Sequence, residues 1–160
     1  EHIDVHGGEL RMYVGRRDRY PVSASVLAWL AKEIDLEKKI LELGLNIEKS
    51  RTELLDILRQ IRREGKKICG FGAASKGVVI TNYCGIGPDL IPFITDNTPI
   101  KQGKYYPGTH IPIVPQEKFA NVDYAFLFAW NHLREIDQNQ SWFRQKGGHW
   151  ITHVPKPRIL

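Results

Sequence analysis

The sequence predicts an α/β protein in which a mainly parallel sheet is flanked by helices and preceded by one strand and a long, kinkable amphipathic helix. Three observations lead there. From Gly65 onward, short apolar runs alternate with helix-period segments, the order that builds parallel strands with crossovers on both faces of a sheet. The first of those runs ends in Gly70-Phe71-Gly72, a tight turn of the kind that leads from a strand into a helix. Before Gly65, from about Ala24 to Arg63, apolar residues recur at helical spacing.

The elements follow in order. Glu9 to Val14 alternates polar and apolar residues and predicts a half-buried strand, approached through His6-Gly7-Gly8. Pro21 and Ser23 prepare a helix start. In the helix, Ile40, Ile47, Leu54 and Ile61 repeat every seven residues, with Leu43, Ile57 and Leu58 on the same side and Leu30 and Ile34 extending the stripe. Such a segment spans roughly 60 Å at about 1.5 Å per residue, longer than a small domain is wide. Gly44 is its weakest point by helix propensity. The stripe reads as an amphipathic helix on a neighbouring surface, with a coiled coil as the alternative. Then come a strand over Lys67 to Phe71, a helix over Ala74 to Tyr83, a strand over Leu90 to Thr95 and a turn-rich loop from Asn97 to Thr109. His110 to Val114 predicts a short strand and Pro115 to Asn121 a short helix or turn. Val122 to Trp130 is the most apolar strand, Asn131 to Lys146 a helix stopped by Gly147-Gly148, and His149 to Val154 the last strand. The result is a Rossmann-like domain over 65–160, a long helix over 23–64, and a strand segment over 1–22 that joins an upstream domain.

Composition bounds the function. The chain has 160 residues, 42% hydrophobic and 26% charged, with no low-complexity tract. No apolar run approaches the ~18 residues of a membrane span, so no membrane partner is expected. The net charge of +5 is concentrated in Arg16-Arg17-Asp18-Arg19 and Arg62 to Lys67, near predicted element ends. There it reads as solvated faces rather than a nucleic-acid groove, although it would also serve a diphosphate. The two cysteines, Cys69 and Cys84, lie in apolar surroundings outside any ligand motif, and the six histidines lack zinc spacing. No metal site and a reducing, cytoplasmic setting are the expectations.

The turn Gly70-Phe71-Gly72-Ala73-Ala74-Ser75-Lys76-Gly77 carries the most chemistry. Ligands of open α/β sheets bind beyond the carboxyl ends of the strands, where free N–H groups at a helix start receive anions. Ser75 offers a hydroxyl and Lys76 a point charge for phosphate. Asp96 ends the second strand, where an acid accepts ribose hydroxyls. The third glycine is two places late for GxGxxG, and Val78-Val79 breaks the phosphate-loop pattern. The alternative is that Gly72 and the alanines only let helix pack on strand.

Neighbouring loops add a pattern. "GGELR", "GFGAASKG", "NYCGIGPDLI" and "TDNTPIKQGKYYPGTHIPI" together resemble the C-terminal domain of the S-adenosylmethionine-dependent sugar C-methyltransferases, over nearly the whole chain. Asn82-Tyr83-Cys84-Gly85, Lys101-Gln102-Gly103 and Pro107-Gly108-Thr109 are the most specific parts. The resemblance implies a Rossmann-like domain that closes over a nucleotide-linked (dTDP-type) keto-deoxysugar in deoxysugar biosynthesis. It implies that S-adenosylmethionine and zinc belong to domains upstream, and that no cofactor resides in this chain. The chain then reads as an excised domain, inactive alone. The whole enzyme's chemistry, deprotonation beside a ketone and attack of the enolate carbon on the sulfonium methyl, needs a base and a group that stabilises the enolate oxygen. Glu1-His2 is superficially like the family's Tyr-x-Glu-His segment but lacks the tyrosine, so no catalytic residue is assigned.

The glycine turn and these loops give the expected substrate-binding set: His6, Gly7, Gly8, Gly70, Gly72, Ala73, Ser75, Lys76, Asp96, Lys101, Gly103, Thr109 and His110. Lys104 is a second candidate for phosphate, Tyr105 and Tyr106 for stacking, and Asn131-His132 for a position bordering the ligand. Trp130, Trp142 and Trp150 read as packing residues. Two other readings stand beside this one. The first is a stand-alone NAD-type nucleotide-binding, oxidoreductase-like domain, although no Tyr-x-x-x-Lys pair is present. The second is an architectural module whose long helix docks a partner.

Overall fold

The computed structural model describes residues 1–5 and 7–160 and divides them into two compact units, Glu1–Asn46 and Ile47–Leu160. In the first unit, β1 (His2–Ile3) and β2 (Glu9–Leu10) form a small antiparallel hairpin, followed by α1 (Ala24–Ala31) and the start of α2 (Leu36–Arg63). The expected strand to Val14 is cut to two residues; Met12, Tyr13 and Val14 are exposed and pair with no strand. The helix does break, but over residues 32–35 and not at Gly44, through which α2 runs without interruption. Asp35 adopts a left-handed conformation (φ 62°) and its carbonyl accepts from Lys39 N–H, opening α2. Aspartate tolerates that conformation and is a poor helix former, whereas Gly44 is flanked by strong formers whose propensities outweigh its cost of about 1 kcal/mol.

The heptad residues divide along α2. Ile40 and Ile47 are exposed, but Leu54, Leu58 and Ile61 are sealed into the core of the second unit, with Ile57 packed against it. That unit contains β3 (Ile68–Phe71), α3 (Ser75–Cys84), β4 (Ile94–Thr95), β5 (Ile113–Val114), β6 (Tyr124–Leu127), α4 (Leu133–Asn139), α5 (Ser141–Gln145), β7 (His149–Thr152) and β8 (Arg158–Ile159). The sheet order is β5-β4-β3-β6-β7-β8, parallel except for β8, which returns antiparallel on β7. The predicted α/β class and mainly parallel sheet are therefore present. The strands are shorter than their apolar runs, because residues such as Ile91 are buried in loops rather than paired. The strand β8 was not anticipated: Arg158-Ile159 carries no alternation long enough to mark it.

Alternation along the strands splits the core in two. Ile68, Ile94, Ile113, Phe126, Phe128 and Ile151 face α2 and α3. Cys69, Phe71, Ala125, Leu127 and Trp150 face Phe119, Leu133, Ile136 and Phe143 on the other side. The chain runs outward from β3 through β4 to β5, then crosses to β6 on the opposite flank of β3. That reversal is the topological switch point at which open α/β sheets open a crevice.

α3 lies close against this sheet. A Cβ on Gly77 would stand 2.5 Å from Phe128 Cγ and against the Tyr106 hydroxyl, while Gly44 has nothing within 4 Å. Glycine-to-alanine substitution in a helix normally gains about 1 kcal/mol, but forced overpacking costs roughly 1–3 kcal/mol. Gly77→Ala is expected to lower the thermal midpoint and Gly44→Ala to raise helicity and stability. Melts followed by circular dichroism will test whether the signs are opposite.

His153 supplies a second expectation. Its ring is T-shaped to Phe126 at 5.6 Å, its Nδ1 is buried without a partner, and burial pushes its pKa down from 6.5 to about 4. The unfolded chain thus takes up this proton as pH falls below 6.5, and the folded chain only near 4. Stability is expected to decline across that interval by up to about 1.4 kcal/mol per pH unit. In His153→Phe, denaturant titrations between pH 7 and 4 should show the decline reduced.

Candidate functional site

A cavity of about 290 Å³ opens at the carboxyl rim of β3 and β4, on the face covered by α4. Phe71 and Gly72 come from the end of β3, and Thr95, Asp96 and Asn97 from the end of β4. Gln116 lies just after β5, Glu135, Ile136 and Asn139 lie along α4, and Gln140 caps its C-terminus. The three α4 positions are spaced i, i+1 and i+4, which puts them on one side of the helix.

Asp96 organises this rim. Its carboxylate is 6% exposed and accepts from Ala73 N–H at 2.7 Å, Thr98 N–H at 2.8 Å and the Lys101 ammonium at 3.1 Å. Lys101 also reaches the Ala73 carbonyl at 3.1 Å, and Gln102 Nε2 donates to the Asp96 carbonyl at 2.9 Å. Burial alone would raise the Asp96 pKa; hydrogen bonds from Thr98, Lys101 and Ala73 outweigh it and hold the group below its ordinary 3.8. Gly72 makes the bend possible: it has φ 78°, donates its N–H to the Thr95 carbonyl at 2.8 Å and leaves open space where a Cβ would stand.

Among the predicted residues, Gly72 and Asp96 line the cavity. Ala73 is buried and its amide is committed to Asp96. Gly70 lies inside the strand against Phe128 and Ile94, where its missing side chain serves packing. Ser75 is exposed at the first turn of α3; Lys76, beside it, donates to Asn131 Oδ1 at 3.0 Å and stands 5.1 Å from the Trp130 ring centroid. Lys101 faces its carboxylate partner. Gly103 donates its N–H to the Ile113 carbonyl, and His110, at φ 55°, donates its N–H to Tyr106. Thr109 has a buried hydroxyl with no hydrogen-bond partner. Gly7 and Gly8 belong to the hairpin of the first unit, where Gly8 N–H bonds the Val5 carbonyl. His6 lies outside the described residues.

Tyr106 corrects one expectation. It is not available for stacking on a ligand: it is 2% exposed, lies flat on Phe128 at 5.5 Å and donates its hydroxyl to the Ala74 carbonyl. Burial raises its pKa. Gln116, Glu135, Asn139 and Gln140 escaped sequence reasoning because no motif joins them. Their one signal was position, just after β5 for Gln116 and on the helix that follows β6 for the others.

Among the described residues, the rim offers little to an NAD-type coenzyme and no ligand set for a metal. A ribose diol would find three of the roughly four acceptor positions of Asp96 held by internal donors. Burial pushes the Cys69 thiol up to about 12 and raises that of Cys84, so neither readily supplies the thiolate a metal needs. Among the described residues no group of three or more His, Cys, Asp or Glu could hold a metal ion, and no helix is long and apolar enough to cross a membrane.

The chain matches the family described as C-methyltransferase C-terminal domain over residues 4–155. It is 35% identical over 164 residues to the C-methyltransferase NovU of Streptomyces niveus, in an alignment covering 98% of this chain and 39% of that protein. The chain thus spans well under half the length of this curated relative. Neither match favours the NAD-type reading.

Asp96→Asn tests the construction of the rim. An amide nitrogen must then face the Ala73 or Thr98 N–H, and a charge-assisted bond to Lys101 is lost. A loss of about 2 kcal/mol is expected at pH 7 by denaturant titration. Because the folded-state pKa is lowered, the carboxylate's contribution is present above the unfolded value near 3.8 and disappears as pH falls through the folded value. The variant should lack that most acidic part of the pH dependence.

Proposed function

The chain belongs to the family of C-methyltransferase C-terminal domains, and from that premise we propose that it is the nucleotide-sugar-binding and closing domain of an S-adenosylmethionine-dependent sugar C-methyltransferase. The observation that carries the proposal is the cavity at the carboxyl rim of β3 and β4, bordered by hydrogen-bonding side chains and formed within a single unit. It occupies the region where open α/β sheets take their ligands. Deoxysugar biosynthesis in the cytoplasm is the setting this reading expects.

On this reading the methyl donor and any zinc are held in portions of the longer protein outside these 160 residues, and so is the base that removes the substrate proton. The residues of this chain bind, orient and exclude water. Gly72 and Asp96 shape the rim, while Ser75 and Lys76 at the start of α3 offer a hydroxyl and a cation to the diphosphate. Gly103, Thr109 and His110 belong to the loop that the proposal places over the substrate. It extends the same role to His6, Gly7 and Gly8 of the segment leading to the upstream domain.

Calorimetric titration of the chain with a dTDP-linked sugar, NADH and S-adenosylmethionine is the test. Measurable binding of the sugar nucleotide alone is expected, reduced several-fold in Lys76→Ala. Tight binding of NADH, with none of the sugar nucleotide, would reverse the assignment.

A further inference from the structure

We propose that residues 9–14 are one strand of a longer β-hairpin whose other strand continues into the residues immediately preceding Glu1 in a longer protein. The side carrying Leu10, Met12 and Val14 is then covered by the upstream body to which those residues belong. This rests on the preceding reading only in placing further chain ahead of Glu1; no ligand enters it.

Register names the partner. His2 pairs with Leu10 and Ile3 with Glu9, antiparallel. One step further out, Glu1 and Arg11 exchange both backbone bonds: Arg11 N–H reaches the Glu1 carbonyl at 2.9 Å, and the Glu1 amino group reaches the Arg11 carbonyl at 2.8 Å. Pairing stops there because the partner strand has no further residue to offer. The second strand itself carries on. Tyr13 keeps to the same side as Arg11, as alternate strand residues do, and its hydroxyl and the Arg11 guanidinium both meet the Glu1 carboxylate, at 3.4 and 2.7 Å. Continuing the register sets the residue just before Glu1 opposite Met12, the one before that opposite Tyr13 and the next opposite Val14.

Exposure shows that cover is missing. Met12 is 82% and Val14 94% exposed, although their alternation is that of a half-buried strand. Unpaired backbone beside apolar side chains is an edge that proteins ordinarily cover. The packing side is already marked: His2, opposite Leu10, stacks on Trp29 of α1 with ring centroids 6.3 Å apart. The relative's length supplies the occupant, since most of that C-methyltransferase lies outside the aligned part. A second copy of the chain would have to find this edge from solution, with no register specified. The preceding residues are delivered by the chain itself, next to a pair already formed, at little further cost in loop closure.

The test compares the 160-residue chain with the same chain extended at its N-terminus by its natural preceding sequence. Amide hydrogen exchange, read residue by residue, is expected to be unprotected at Tyr13 in the short chain and slowed about a hundredfold or more in the long one. The pair opposite Met12 lacks mutual hydrogen bonds, so its Cα atoms approach to about 4.5 Å, within disulfide reach. Met12→Cys should therefore cross-link under mild oxidation to a cysteine placed immediately before Glu1, and not to one placed a position earlier. Val14→Asp should leave the thermal midpoint of the short chain unchanged and lower that of the long protein by several degrees. Should that variant misfold, exchange in the unmutated protein decides. Free exchange at Tyr13 in the long protein, or cross-linking only in the shifted position, overturns the proposal. So does protection of Tyr13 in the short chain that grows with concentration, which would give the edge to a second copy. No readout involves a ligand, so the calorimetric outcome for the sugar nucleotide stands or falls separately.

Discussion

A single buried carboxylate fixes the geometry on which the rest of the candidate site is built. Asp96 receives Ala73 from the bend after β3, Thr98 from its own loop and Lys101 from the turn beyond. Three segments far apart in their requirements are thereby tied to one point at the carboxyl rim. A charged group with little solvent exposure is tolerable only where hydrogen bonds and an opposite charge replace its water. The partners found here meet that condition, and in doing so they define where the rim ends and the cavity begins. The same bonds leave a residue in the usual ribose-binding place little accepting capacity to spare.

A second layer of constraint comes from close approach. Gly77 brings α3 onto Phe128, Tyr106 lies on that same ring, and its hydroxyl bonds the carbonyl just before the helix. The loop carrying Tyr106 is anchored at its next turn by Asn82, whose amide donates to the carbonyls of Val78 and Pro107. The "NYCG" and "YYPGT" stretches, distant in sequence, are therefore two halves of one contact.

Much of the architecture was legible because it rests on periodicity. The strand before Gly72, the helix after it and the buried end of the long stripe at Leu54, Leu58 and Ile61 all declare themselves by spacing. The break at Asp35 was hidden because propensity points to Gly44, while the actual stop depends on one residue accepting a left-handed conformation. Two-residue strands such as β5 and β8 were hidden or overdrawn because pairing partners, not local composition, decide where they end. Of the cavity, the portion written in the glycine turn and Asp96 could be read. The portion supplied by Gln116 and α4 could not, since carboxamides on a helix surface look like ordinary solvated residues until the crossover brings them to the rim.

The bend also bears on how such chains are sorted. Gly70 and Gly77 are small because a phenylalanine ring occupies the space a side chain would need, and only Gly72 is demanded by the backbone's own turn. Steric exclusion by a neighbour and close approach of a pyrophosphate are spelled with the same letter. Classification by glycine spacing would therefore file this domain among the coenzyme binders, whereas asking what crowds each glycine separates the two.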